Sequence, residues 1–184
     1  YATVVLDIKG ARVIDVGKDR KEETVKGILA GIPEKQRAGI RAVAIDMWEP
    51  YIKAVESMLP DTDIVHDKFH IVKHLGEAVD KVRKTEHKDL SKSGDESLKG
   101  TKYLWLTNPK NWTDKQQVLF RELKGERLKV GRAWALKDMF SELWEYTYEG
   151  SAKNFFKKWY WWATHARLKP LAKAAKMIKE HLPN

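Results

Sequence analysis

The amino-acid sequence predicts an α/β protein, with a mixed sheet and covering helices in its first part and an all-helical second part. Three observations carry that prediction. Two apolar, β-branched runs, residues 2–8 and 11–17, flank Lys9 and Gly10, which is the pattern of a hairpin. Two further short strand-like runs, Ala42–Ile45 and Asp63–His66, alternate with stretches of helical period. From residue 68 onward the hydrophobic period is helical and no strand signal returns.

The elements follow in order. After the hairpin, EETVKGILAGI places Val25, Ile28, Leu29 and Ile32 at helical spacing, and Pro33 follows its end. AVAI is short and apolar, the pattern of a strand buried on both faces, and Pro50 suits the first turn of the next helix. In PYIKAVESML, Tyr51, Ile52, Val55, Met58 and Leu59 share one helical face, and Pro60 breaks it. DIVH is the next strand. The order β-β-α-β-α-β implies one mixed sheet whose later strands are parallel and covered by helices.

The second part begins with KFHIVKHLGEAVDKVRKTEH, read as one long helix, and LSKSGDESLKG, a polar linker expected to be exposed and mobile. Helical stretches are expected over 97–107, 113–125, 127–149 and 151–182, the last broken near Pro170. The domains are accordingly 1–90, an α/β core, and 91–184, a helical subdomain. Seven of the eight tryptophans, at 105, 112, 134, 144, 159, 161 and 162, fall in the helical part. An aromatic core accounts for most of them, with base stacking the lesser reading.

At 184 residues and 42% hydrophobic, the chain is long enough to bury a real core. No apolar run approaches the roughly 20 residues that span a bilayer. With no cysteine there is no disulfide, cysteine zinc site or thiol nucleophile, and a reducing, cytoplasmic setting is compatible. Because the chain opens inside a strand without methionine and stops after a helical stretch, it is expected to be a piece of a larger protein. The net charge of +9 is uneven, with residues 1–66 at −1 and residues 67–184 at +10. A polyanion such as nucleic acid is the natural partner of the basic part. In RLKPLAKAAKMIKEHL, Leu168, Leu171, Ala175, Ile178 and Leu182 form a stripe for burial, while Lys169, Lys173 and Lys176 repeat on another face. With Lys157, Lys158 and Arg167 they are the candidate DNA-binding residues; a solvated lysine face is the competing reading.

Two short motifs carry the chemistry. In RAVAIDMWEPY, Asp46 ends an apolar strand, the place where open α/β sheets put ligands because side chains there project into the crevice beyond the strand ends. A turn or helix-capping aspartate fits the same spacing. In IVHDKFHIVKH, Asp67 ends the next strand and His70 follows three residues later, so the pair can face each other or flank the crevice beside Asp46. His66, His70 and His74 recur every four residues, but His66 belongs to the strand, which breaks the register that a zinc site needs.

Together AIDMWEPYIKAVESMLPDTDIVHDKFHIVKHL resembles the signature of bacterial insertion-sequence transposases of the ISL type, a DDE family with a ribonuclease H-like catalytic domain. KVRKTEH, KGTKYLWL, the WYWWA run and RLKPLAKAAKMIKEHL are similar to the family's helical insertion. The resemblance implies DNA strand cleavage and strand transfer by three acids that hold two magnesium or manganese ions, about 3.5–4 Å apart, for in-line attack on a phosphodiester. Asp46 matches the second acid, as catalytic and metal-binding residue, and Asp67 and His70 match an element that organises the site. The resemblance also implies double-stranded DNA, as element ends and target, and a homodimer. It places the first acid before Tyr1 and the final glutamate after Asn184, with the sheet's first strand absent. Asp7 is a weak substitute because Lys9 and Gly10 mark a turn; Glu142, Glu145 and Glu149 have amphipathic surface spacing. The fragment alone is therefore expected to be inactive. A metal-binding Asp46 is expected to have open carboxylate oxygens, whereas pairing with an arginine or capping backbone N–H groups is the mark of a structural aspartate. The alternative is a non-catalytic nucleic-acid-binding module.

Overall fold

A computed structural model describes residues 1–123 and 127–182. Packing divides the chain into two compact units, Tyr1–His70 and Ile71–Asn184.

In the first unit, β1 (Thr3–Asp7) and β2 (Arg12–Gly17) form the expected antiparallel hairpin. Asp7 builds its turn: its carboxylate accepts from the Gly10 N–H at 2.9 Å and from Arg12 Nε at 3.3 Å. The Gly10 amide, and then Arg12, hold the Asp7 carboxyl below its usual range. Asp7 is thus a turn residue, as its neighbours predicted. Gly17 closes β2 where there is no room for a Cβ beside Thr24 of α1 (Glu22–Gly31).

The unit's core is made by α1 and α3 (Glu49–Met58) against β3 (Ala42–Ile45) and β4 (Asp63–His66). Val25, Leu29, Ile32, Ala54, Val55 and Leu59 are buried, and Val43, Ile45 and Ile64 pack half-buried against them. A short helix, α2 (Glu34–Arg37), follows Pro33 and was not legible in the sequence. Two expectations are corrected. β3 is not buried on both faces: Val43 and Ile45 face the core while Ala42 and Ala44 are exposed, as alternation along a strand requires when one face is covered. Nor is there one mixed sheet. β1–β2 and β3–β4 are separate two-stranded sheets, because the hairpin is tied down only at its base, by Thr3 and Gly17, and leaves Val4, Leu6, Val13 and Val16 exposed.

The second unit is helical. The long helix α4 (Lys68–Ser91) is continuous, and its Ile71, Leu75, Ala78, Val79 and Val82 are buried. The linker after it is mostly exposed, but Leu98 is fully buried and pins it. The expected helix over 97–107 is only α5 (Lys102–Leu106), and that over 113–125 is α6 (Asp114–Glu122), with residues 124 and 125 outside the described set. The stretch 127–149 splits into α7 (Lys129–Phe140) and a 3-10 turn, Ser141–Glu145. The last stretch breaks, as predicted, into α8 (Glu149–His165) and α9 (Lys169–His181), with Arg167 in left-handed conformation (φ 57°) and Pro170 in the first turn of α9.

Aromatic packing dominates this unit. Trp112 stacks on Trp134 at 5.3 Å and Phe120 lies 5.0 Å from each, while Trp105 and Trp159 are fully buried. The half-buried Lys137 amine donates to the carbonyls of Trp105 and Leu106; desolvation pushes its pKa down.

One polar contact fixes the start of α7. Its Leu128 N-cap has no side-chain acceptor, and the buried Glu86 carboxylate of α4 takes the N–H groups of Lys129 and Val130 at 2.8 and 2.7 Å. A carboxylate suits the positive end of a helix dipole. Glu86→Ala is expected to leave both N–H groups without this acceptor and to lower unfolding stability by about 1–3 kcal/mol, read as a fall in the urea midpoint at unchanged slope.

Candidate functional site

The site is set by the parallel register of β3 and β4. Ile45 pairs with His66, the last pair of the ladder, and the Asp67 N–H donates to the Ile45 carbonyl at 3.0 Å. Asp46 and Asp67 therefore leave the ends of adjacent strands, as the sequence predicts, and the register sets them at the same level.

Asp67 acts first as a helix cap. One carboxylate oxygen accepts from the Phe69 N–H at 2.8 Å, in the first turn of α4, and the other meets His70 Nδ1 at 2.9 Å. His70 is thereby oriented by Asp67, and the two side chains are 36% and 45% exposed, open enough to meet a ligand. Of the two arrangements the spacing allows, Asp67 and His70 face each other.

Asp46 departs from expectation. Its carboxylate accepts from Arg20 Nη2 at 2.8 Å and from the Trp48 N–H at 3.2 Å, and its side chain is 20% exposed. These are the two marks of a structural aspartate. The Trp48 bond turns the chain from β3 into α3, whose N-cap is Trp48.

Arg20 is the residue that the sequence analysis missed. Its guanidinium lies 4.9 Å from the Trp48 ring centroid and 5.7 Å from those of Tyr1 and Tyr51, within cation–π range. Trp48 Nε1 donates back to the Arg20 carbonyl at 3.1 Å. The loop carrying Arg20 is tied in turn. Asp19 accepts from the Thr24 hydroxyl at 2.5 Å and the Lys21 N–H at 3.0 Å, which lower its pKa, and the Thr3 hydroxyl donates to the Asp19 carbonyl at 2.6 Å and meets the Tyr51 hydroxyl. Nothing local in the sequence marks Arg20, which lies 26 residues before Asp46.

The residues present do not compose a metal site. Among the described residues no group of three or more His, Cys, Asp or Glu is placed to hold a metal ion, and Arg20 already neutralises Asp46. The His66, His70, His74 zinc site is likewise not formed, with His66 in β4. Glu149 pairs with Lys153 at 2.7 Å, as expected of a surface acid, and Glu142 and Glu145 lie in the 3-10 turn rather than on a regular helix.

In the helical unit Lys157, Lys158, Arg167, Lys169, Lys173 and Lys176 are all exposed, while Leu168, Leu171, Ala175 and Ile178 are buried as predicted and Leu182 is half-buried. Among the described residues no helix is long and apolar enough to cross a membrane.

Comparison with known proteins points one way. The ISL3-type DDE family model, described as "Transposase", matches residues 1–184. The transposase for insertion sequence element IS1001 of Bordetella parapertussis is 30% identical over 185 residues, covering 99% of this chain and 46% of that protein. The transposase for insertion sequence element IS1557 of Mycobacterium tuberculosis is 23% identical over 204 residues, covering 98% of this chain and 46% of that protein. The chain thus spans about half the length of the curated relatives it matches. No solved structure matches it.

The Arg20–Asp46 pair is a testable coupling. In a double-mutant cycle of Arg20→Ala and Asp46→Ala, the two losses are expected to be non-additive by about 1 kcal/mol, the level of a partly exposed ion pair with good geometry. Additive losses in urea denaturation would show the pair to be energetically idle.

Proposed function

The chain belongs to the ISL3-type DDE transposase family, and from that premise we propose that it is the central part of an enzyme that cuts and rejoins DNA, with Asp46 its catalytic carboxylate. The observation that carries the proposal is the register that sets Asp46 and Asp67 at the ends of two paired parallel strands, where α/β sheets hold their chemistry. Asp67 and His70 are assigned a positioning role beside it. The ribonuclease H-like architecture, double-stranded DNA as element ends and target, a homodimer and a cytoplasmic setting belong to the same proposal, as does the division into a core over 1–90 and a helical insertion over 91–184.

Divalent metal is proposed for the whole protein, since phosphodiester attack in this family rests on it, but the described residues supply too few carboxylates to hold it. Asp46 is the one ligand assigned to this chain, and its oxygen must exchange the Arg20 guanidinium for a metal. By the same count, these 184 residues alone are proposed to be inactive.

Asp46→Asn in the full-length protein is expected to lower the cleavage rate by at least about a hundredfold while leaving DNA affinity nearly unchanged. The Arg20 and Trp48 contacts favour one competing reading, a nucleic-acid-binding module in which Asp46 is structural. Normal turnover by the Asn variant would show that Asp46 is only a structural cap, and DNA binding without cleavage by the full-length wild type would establish the module.

The exposed lysines of α9 are proposed to contact phosphates. A Lys169, Lys173 and Lys176 triple alanine variant is then expected to lose about 0.9 from the slope of log affinity against log salt for each contact removed, without sequence preference. An unchanged slope for duplex DNA would assign this face to solvent.

A further inference from the structure

In the helical unit, the exposed tryptophans among the described residues lie together on α8. Trp161 and Trp162 are 56% and 43% exposed, although rings of this size ordinarily contribute most when buried. Both line an open cavity of about 400 Å³ between α7 and α8, with Arg132, Ala135, Leu136, His165 and Ala166. Among the described residues no acid lines it.

The cavity is preorganised. Trp159, on the buried side of α8, donates from Nε1 to the Leu136 carbonyl at 2.7 Å and so fixes α8 against α7 at the cavity floor. The Trp161 indole stacks on His165, with centroids 4.6 Å apart and planes 19° apart, and His165 Nδ1 lies 2.8 Å from the Trp161 carbonyl. His165 thus backs one face of the Trp161 indole. Lys157 and Lys158 precede Trp161 and Trp162 by four residues, one turn away on the same faces. Both lysines and Arg132 are exposed. Among the described residues none of the three has an acidic partner within ion-pair distance.

We propose that this cleft binds unpaired nucleotides of a DNA strand, with bases stacked on Trp161 and Trp162 and the flanking phosphates met by Arg132, Lys157 and Lys158. Indole faces beside unneutralised cations are the two components of single-strand binding. An unpaired base offers a free π-face, whereas in a duplex both faces are covered by neighbouring bases. Charge favours nucleic acid over a protein partner: residues 71–184 carry a net +10. The inference rests on the reading that the protein acts on DNA, and it adds a strand-selective subsite remote in sequence from Asp46.

The test compares labelled oligothymidine with a duplex of equal length, by fluorescence anisotropy at fixed salt, using the full-length protein. Trp161→Ala with Trp162→Ala is expected to weaken single-strand binding by at least about tenfold and duplex binding by less than twofold. Trp161→Phe with Trp162→Phe, which keeps aromatic faces, is expected to retain most of the single-strand affinity. The proposal is overturned if the alanine variant binds oligothymidine like the wild type, which would leave the cleft to a protein partner, or if it loses single-strand and duplex binding equally. If the wild type binds neither DNA, the DNA reading itself fails; if it binds duplex alone, only the cleft proposal does.

Discussion

A single backbone hydrogen bond, from the Asp67 N–H to the Ile45 carbonyl at 3.0 Å, closes the parallel ladder of β3 and β4 and brings two distant motifs level. The two aspartates are 21 positions apart in sequence, separated by α3 and the turn after it. The crossover is needed because parallel strands cannot be joined by a tight turn. It holds because α3 buries Ala54, Val55 and Leu59 against α1. Loss of that small core would free the register, and with it the level at which Asp46 and Asp67 emerge.

Electrostatics then decide what each carboxylate does. Asp67 spends one oxygen on the start of α4 and offers the other to His70, so helix and histidine are oriented together. Asp46 is satisfied by Arg20 and by the turn into α3. Arg20 is itself gripped by the Trp48 ring and by a loop tied through Asp19, Thr24 and Thr3. A carboxylate held this way is positioned but neutralised, so any cation that takes Asp46 competes with a guanidinium already stacked and hydrogen-bonded in place. On the proposed catalytic reading, this competition sets what a metal must displace to reach Asp46.

The helical unit follows a different logic. Its stability comes from aromatic layers, Trp112 with Phe120 and Trp134, and from Trp159 bonded to α7. Polar groups fill specific vacancies in that packing: Glu86 supplies acceptors for the start of α7, and Lys137 supplies donors for the end of α5. What is left outside is strongly basic, with exposed tryptophans on α8, whereas the first unit is close to neutral.

The sequence alone carried the order of the longer helices and strands, the places of Asp46 and Asp67 at strand ends, the spacing that lets Asp67 reach His70 and the break before Pro170, since each depends on period, on β-branching or on residues three or four apart. It also determined which face of α9 is buried, since one helix carries its own stripe. Tertiary structure alone decided the rest. Whether the hairpin joins β3 and β4 depends on which edges meet, and no local pattern encodes that. The Arg20–Asp46 pair, the Glu86 cap and the tryptophans left at the surface of α8 each join residues far apart in the chain or depend on what a neighbouring helix covers. A carboxylate's partner is chosen by proximity in space, and proximity across 26 residues is set only when the intervening elements have packed.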